Sequence, residues 1–133
     1  MREDLGPVSN PAKAKGTAHE TAVVRYLNER GIPARRVAQT GALDVGDVHG
    51  IDPFVGQAKN YRDLPTALRE GVDGAVVQAK RVSADALPVA FVKRPRKSAA
   101  DVYAVMPLAT FSEVLLRLEV AAEDAQRLAQ LEK

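Results

Sequence analysis

The sequence predicts a single α/β domain, a mixed β-sheet flanked by helices, with its elements in the order α-β-β-β-α-β-β-α. Apolar residues recur at helical spacing in three long segments, and between them lie short apolar runs bounded by Gly, Pro and Asp. A length of 133 residues suits one domain with a real core.

Residues 1–15 mix Gly6, Pro7 and Pro11 with polar and charged residues and show no periodicity, so they read as a flexible basic tail ahead of a core spanning 16–118. Thr17-Ala18-His19-Glu20 fits a capping box, with Thr17 as N-cap and Glu20 reaching back to its backbone N–H. Ala22, Val23, Tyr26 and Leu27 continue that helix until Gly31 and Pro33 stop it. Three extended segments follow, Ala34 to Gln39, Leu43 to His49 and Phe54 to Asn60. Gly50 and Asp52-Pro53 turn the second into the third as a hairpin. From Leu64 to Ser83 a helix is expected, its face built from Leu68, Val72, Ala75, Val76, Ala79 and Val82, with Gly71 and Gly74 weakening it. Pro88 to Arg94 and Asp101 to Met106 are two more strands, joined by the basic loop Lys93-Arg94-Pro95-Arg96-Lys97. A second capping box, Thr110-Phe111-Ser112-Glu113, opens a last helix with Leu115, Leu118, Ala122, Ala125, Leu128 and Leu131 on its apolar face. Residues 119–133 extend past the sheet, either to pack on the domain or to pair with a second chain.

Composition narrows the chemistry. There is no cysteine, which excludes disulfides, thiolate metal sites and cysteine nucleophiles, and two histidines are too few for an all-histidine metal site. A metal here would need oxygen ligands, which favours magnesium or manganese. No apolar run spans a bilayer and the N-terminus lacks a signal-peptide core, so the chain reads as cytosolic, without a membrane partner. Residues 1–97 carry 16 Lys/Arg against 11 Asp/Glu, and residues 98–133 carry 3 against 6. A basic body suits a polyanion, although many ordinary enzymes are as asymmetric.

The hairpin concentrates the unusual residues. Strand alternation puts Phe54, Gly56 and Ala58 on one face and Val55, Gln57 and Lys59 on the other, and the turn brings Asp47 beside Gln57. A carboxylate, an amide oxygen and an ammonium so grouped suit phosphodiester hydrolysis. Asp47 and Gln57 can ligate a magnesium ion, and Lys59 can orient the attacking water or neutralise developing charge.

These residues resemble the PD-(D/E)XK nuclease superfamily, whose pattern is a helix bearing a glutamate, an Asp on one strand and (D/E)-x-Lys on the next. Glu20, Asp47 and Gln57-Ala58-Lys59 match it, over a segment from Lys13 to about Leu118. Lys15-Gly16-Thr17-Ala18-His19-Glu20 and the element from Gly41 to Val48 resemble short, phage-type Holliday-junction resolvases. The resemblance implies a restriction-endonuclease-like fold and a magnesium- or manganese-dependent endonuclease acting on DNA in recombination. Its substrate would be a four-way junction and its working form a homodimer. It also implies Asp47, Glu20 and Gln57 around the metal, Asp44 as an accessory acid, and Lys59 beside the attacking water. Gln57 departs from the pattern, since a neutral oxygen binds a divalent ion less tightly than a carboxylate.

Plainer roles stand beside these. Glu20 can simply complete a capping box, Asp44 can cap a turn near Gly41 and Gly46, Asp47 and Lys59 can form a structural ion pair, and His49 suits a turn. Gln78-Ala79-Lys80 repeats the tripeptide on a helix, where residues two apart diverge by roughly 200°. Lys13, Lys15, Arg35, Arg36, Arg62, Lys93, Arg94, Arg96 and Lys97 are candidates for phosphate contacts, or are solvated surface charges. Other nucleases of the same type, in restriction, repair or end processing, and a non-catalytic nucleic-acid-binding module are the alternative functions.

Overall fold

A computed structural model of the chain describes residues 11–37, 47–60 and 63–132, the side chains of 11–15 excepted. Its elements are α1 (Pro11–Glu29), β1 (Arg35–Arg36), β2 (Val48–Ile51), β3 (Phe54–Lys59), α2 (Leu64–Val82), β4 (Leu87–Val92), a 3-10 turn (Ala99–Asp101), β5 (Tyr103–Val105) and α3 (Leu108–Leu131). The expected element order is found, as an α/β fold with a five-stranded mixed sheet flanked by helices.

Helix α1 begins six residues before the expected cap at Thr17. Proline suits a first helical turn, where its missing N–H would have no partner, and Ala-Lys-Ala-Lys after it are strong helix formers. The helix therefore runs through Gly16 and Thr17. Glu20 lies in its middle, without a capping role, and residues 11–15 belong to the helix rather than to a tail. The far end closes as a Schellman motif: Ile32 N–H donates to Leu27 O, Gly31 N–H donates to Asn28 O, and Gly31 adopts φ +90°.

The sheet order is β1-β2-β3-β4-β5. β1–β2, β2–β3 and β4–β5 are antiparallel, and β3–β4 is a parallel pair connected through α2. The first strand is only two residues long within the described segment. The β2–β3 hairpin turns through a cis Asp52–Pro53 bond, and its register shifts between Val48 and Ile51. Gly50 is required there, because its φ is +79° and a Cβ would lie 2.1 Å from the Pro33 carbonyl oxygen.

The two faces of the sheet are covered unequally. On one, Ala67 of α2 packs with Ala90 and Val92, supported by Leu68, Val72 and Val105. The buried face of α2 is Ala67, Gly71, Ala75, Gln78 and Ala79, rotated from the expected stripe, and Val82 is exposed. Small residues let the helix approach the strands, so Gly71 is a packing contact and not a flaw. On the other face α1 lays Val23, Tyr26 and Leu27 near Phe91 and Ala104. Beyond its C-terminal end an apolar cavity of about 710 Å³ opens over Ile51, Phe54, Val89 and Phe91.

Helix α3 starts at Leu108 behind Pro107, two residues before the expected cap, and Thr110 is its only buried residue. It is continuous across position 118, where the core was expected to end. Arg117 ties it to the body by donating to the Asp85 carbonyl oxygen at 3.1 Å. Among the described residues, no helix is long and apolar enough to cross a membrane.

Candidate functional site

The residues singled out in the sequence lie along β3 and on α1, beside the shared end of β3 and β4. The strands run parallel there in the register Gln57↔Ala90 and Lys59↔Val92, and Lys93 N–H donates to Lys59 O. Asp47 sits just before β2. Its N–H donates to Gly56 O, its own carbonyl accepts from Val37, and its Oδ2 accepts the Ala58 N–H at 3.0 Å. A carboxylate thus replaces a main-chain ladder partner on the residue between Gln57 and Lys59.

Helix α1 supplies Glu20 and His19. Burial is the main cause of a raised Glu20 pKa. The nearby Asp47 charge adds to it, and Arg36 opposes it. Arg36 Nη2 lies 3.8 Å from Glu20 Oε2, an ion pair that partly offsets the acid pair. His19 is 2% exposed and its Nε2 lies 2.9 Å from the Phe91 carbonyl oxygen, to which it donates. Its pKa is lowered by burial foremost and by Lys93 next, while the Phe91 hydrogen bond and Asp47 pull the other way. Burial therefore disfavours the charged form of His19. Sequence reading passed over it as the interior of a capping box.

Gln57 and Lys59 sit differently. A Cβ on Gly71 would lie 3.0 Å from Lys59 Cγ and 3.3 Å from Ala90 Cβ, so Lys59 and Ala90 both face α2. Gln57, two residues before Lys59 and paired with Ala90, shares that face. The alternation along β3 is as expected, since the open side of Gly56 meets Phe91 and Val48 on the α1 side. The expected single cluster is instead divided. Glu20 approaches from the α1 side, Gln57 and Lys59 project toward α2, and Asp47 holds the strand between them. Asp44 and Arg62 lie outside the described residues, as do the side chains of Lys13 and Lys15.

The donors can be tested against a hard cation. Gln57 is 6% exposed and its Oε1 has no hydrogen-bond partner, an orphaned oxygen of the kind a magnesium ion accepts. Glu20, whose pKa is raised by burial foremost and by the Asp47 charge next, would be relieved by positive charge. No group of three or more His, Asp or Glu placed to hold a metal occurs among the described residues. Magnesium, however, is commonly held by one or two carboxylates with water and substrate phosphate. Asp47 and Glu20 fit on those terms, whereas Gln57 faces α2 on the other side of β3.

Basic side chains border the site. Arg35 and Arg36 are exposed on β1. The loop after β4 lines a cavity of about 320 Å³ with Lys93, Arg94, Arg96 and Lys97, closed by Leu64 and Tyr103. The Arg94 guanidinium lies 4.6 Å from the Tyr103 ring centroid and reaches the Asp101 carbonyl at 3.5 Å, and Arg96 adopts φ +61°. His49 lies in β2, paired with Arg35. In the Gln78-Ala79-Lys80 repeat, Gln78 is buried in α2 while Lys80 is exposed. No protein-family model, curated protein or solved structure matches the chain.

Proposed function

We propose that this chain is a metal-dependent DNA endonuclease of the PD-(D/E)XK type with a restriction-endonuclease-like fold, acting as a Holliday-junction resolvase on four-way junctions. The observation that carries the reading is the Asp47 carboxylate, bonded through Oδ2 to the Ala58 N–H between Gln57 and Lys59. Asp47 and Glu20 would hold Mg2+ or Mn2+, with Gln57 as a neutral oxygen donor and Asp44 as an accessory acid. The ion, when bound, supplies Lewis acidity toward a phosphate oxygen and a more acidic water. The Ala58 N–H fixes the Asp47 carboxylate, so that group is preorganised before substrate arrives. Arg36 moderates the charge on Glu20. Lys59 contributes an ammonium that can stabilise charge developing on phosphate. The cations from Lys93 to Lys97 offer backbone contacts that need no base readout. Symmetric cutting of two strands calls for two sites, hence a homodimer.

The test is cleavage of a labelled synthetic four-way junction beside a matched linear duplex, in Mg2+ and in Mn2+, with Asp47→Asn as control. Paired cuts near the branch point, lost in the variant, are expected. Cutting of both substrates alike would move the reading to another nuclease of the same type, in repair, restriction or end processing. One observation favours a non-catalytic DNA-binding module instead: Gln57 and Lys59 face α2 while Glu20 approaches from the opposite side. Junction binding without cleavage in either metal would establish that alternative.

A further inference from the structure

We propose that the loop from Lys93 to Lys97 builds a pocket for a terminal phosphate, the dianion of a phosphomonoester carried by a nucleotide. The phosphate chemistry stands on the loop alone; that a nucleotide carries it rests on the nuclease reading. Lys93, Arg94, Arg96 and Lys97 line one cavity of about 320 Å³, whose other walls include Leu64 and Tyr103. Among the described residues, none of the four cations is ion-paired with a carboxylate. Two acids lie close by in the chain, Asp101 before Tyr103 and Asp63 before Leu64. They accept instead from the hydroxyls of Ser98 and Thr66. Cations gathered without counter-charge make a site for an anion.

The backbone of the loop points the same way. Lys97 N–H donates to Arg94 O at 3.2 Å, closing a turn with Pro95 second and Arg96 third. Arg96 takes φ +61°, a position where such turns favour glycine. A side chain held in a disfavoured conformation marks a place where the side chain itself is used, and here it adds a cation to the cavity. Arg94 is already set in place, with its guanidinium 4.6 Å from the Tyr103 ring centroid and Nη1 donating to the Asp101 carbonyl at 3.5 Å. The charge density selects the ligand. A nucleic-acid backbone presents single charges spread along a strand, whereas a phosphomonoester concentrates a charge of about −1.5 to −2 and three acceptor oxygens at one point. Two arginines and two lysines converging on one cavity match the second. Leu64, 45% exposed, and Tyr103, 41% exposed, are left to meet the group that the phosphate esterifies.

Calorimetric titration of the full chain in EDTA reads the pocket apart from any cleavage. Thymidine 5′-monophosphate should bind at least about 10-fold more tightly than its methyl ester, a diester that keeps the nucleoside and loses one charge. Arg96→Gly should weaken the monophosphate by about 10-fold or more, while thermal stability holds or rises because glycine suits the turn. Lys97→Gln, at an exposed position, should weaken it too. Arg127→Gln removes a charge of the same sign on α3 and should change nothing. A 5′-phosphorylated oligonucleotide beside its 5′-hydroxyl twin names the source: preference for the phosphorylated strand assigns the pocket to strand ends, and equal binding assigns it to free nucleotides. Inorganic phosphate bound as tightly as the monophosphate would overturn the nucleotide and leave the phosphate pocket, so the two parts fail separately. Absence of binding, equal affinity for monophosphate and methyl ester, or a monophosphate affinity unmoved by Arg96→Gly and Lys97→Gln would each overturn the proposal. Equal weakening by Arg127→Gln would do the same.

Discussion

Replacing Gln57 by methionine should stabilise this protein when divalent ions are chelated and abolish the proposed cleavage when they are supplied. Gln57 is 6% exposed and its Oε1 accepts no hydrogen bond. A buried acceptor left unbonded costs about 1–3 kcal/mol, and an apolar group of similar shape removes that cost. Methionine matches the length of glutamine and adapts to irregular space, though imperfect packing returns up to about 1.5 kcal/mol. The net gain should be about 1 kcal/mol, a rise of roughly 3–5 °C in Tm for a domain of this size. Urea unfolding in EDTA measures it. A loss of more than about 1 kcal/mol (the lower end of the desolvation penalty) would mean that the amide oxygen is satisfied in the folded protein, and the reasoning would fail. The second arm adds magnesium. A ligand at about 100 times its Kd stabilises by about 2.7 kcal/mol, and the methionine variant should gain less than the parent. Equal gains would remove Gln57 from the donor set.

Asp47→Asn keeps an oxygen for the Ala58 N–H while losing the charge, so stability should change by less than about 1 kcal/mol. Asp47→Ala also leaves that N–H unpaired and should cost about 1–2 kcal/mol; both should abolish cleavage, and a fully active Asp47→Asn enzyme would defeat the proposed role. His19 and Glu20 should tilt the pH dependence of stability in opposite directions. The lowered His19 pKa contributes stability above the ordinary histidine value that is lost as pH falls through the folded value. The raised Glu20 pKa contributes stability at low pH that is lost as pH rises through its folded value. Thermal melts across pH 4–8 should therefore show a flatter acid limb in His19→Gln and a gain at neutral pH in Glu20→Gln, and profiles parallel to the parent's would contradict both environments. Gly50→Ala forces a side chain onto φ +79° and into the Pro33 carbonyl. It should cost about 3 kcal/mol or more in urea unfolding, of which about 1–2 kcal/mol is the backbone conformation alone. A neutral effect would show that the hairpin can move away from Pro33.

The sequence carried the order of elements because hydrophobic period and turn residues are local signals. It misplaced both helix starts for a related reason. Thr17-Ala18-His19-Glu20 and Thr110-Phe111-Ser112-Glu113 each satisfy the capping-box pattern, but a pattern does not state whether a better start lies upstream. Pro11 and the Ala-Lys repeat provided one for α1, and Pro107 provided the other for α3. The buried face of α2 was misjudged because the large apolar residues were weighted over the small ones. The strands admit the helix where it is thinnest, at Ala67, Gly71 and Ala75. At the site, alternation along β3 was legible and the proximity of Asp47 to that strand was anticipated. The attachment of Asp47 to a backbone N–H, the Arg36–Glu20 pair and the burial of His19 were not. Those depend on which strand crosses which helix, and residues far apart in sequence do not disclose it.

The divided arrangement has a geometric consequence. Opposite faces of a sheet are insulated from each other by the sheet itself except at strand edges and strand ends. Asp47 takes the place of a ladder partner at Ala58, and β3 and β4 finish together just beyond it, with Lys93 bonded to the Lys59 carbonyl. The cations of the loop after β4 begin one strand spacing away, about 4.8 Å. A phosphate backbone following that loop would arrive at the strand ends, where both faces are reachable, rather than over either face. On the proposed nuclease reading, the acid pair and the Gln57–Lys59 pair would have to meet at these strand ends, which strand alternation alone does not provide.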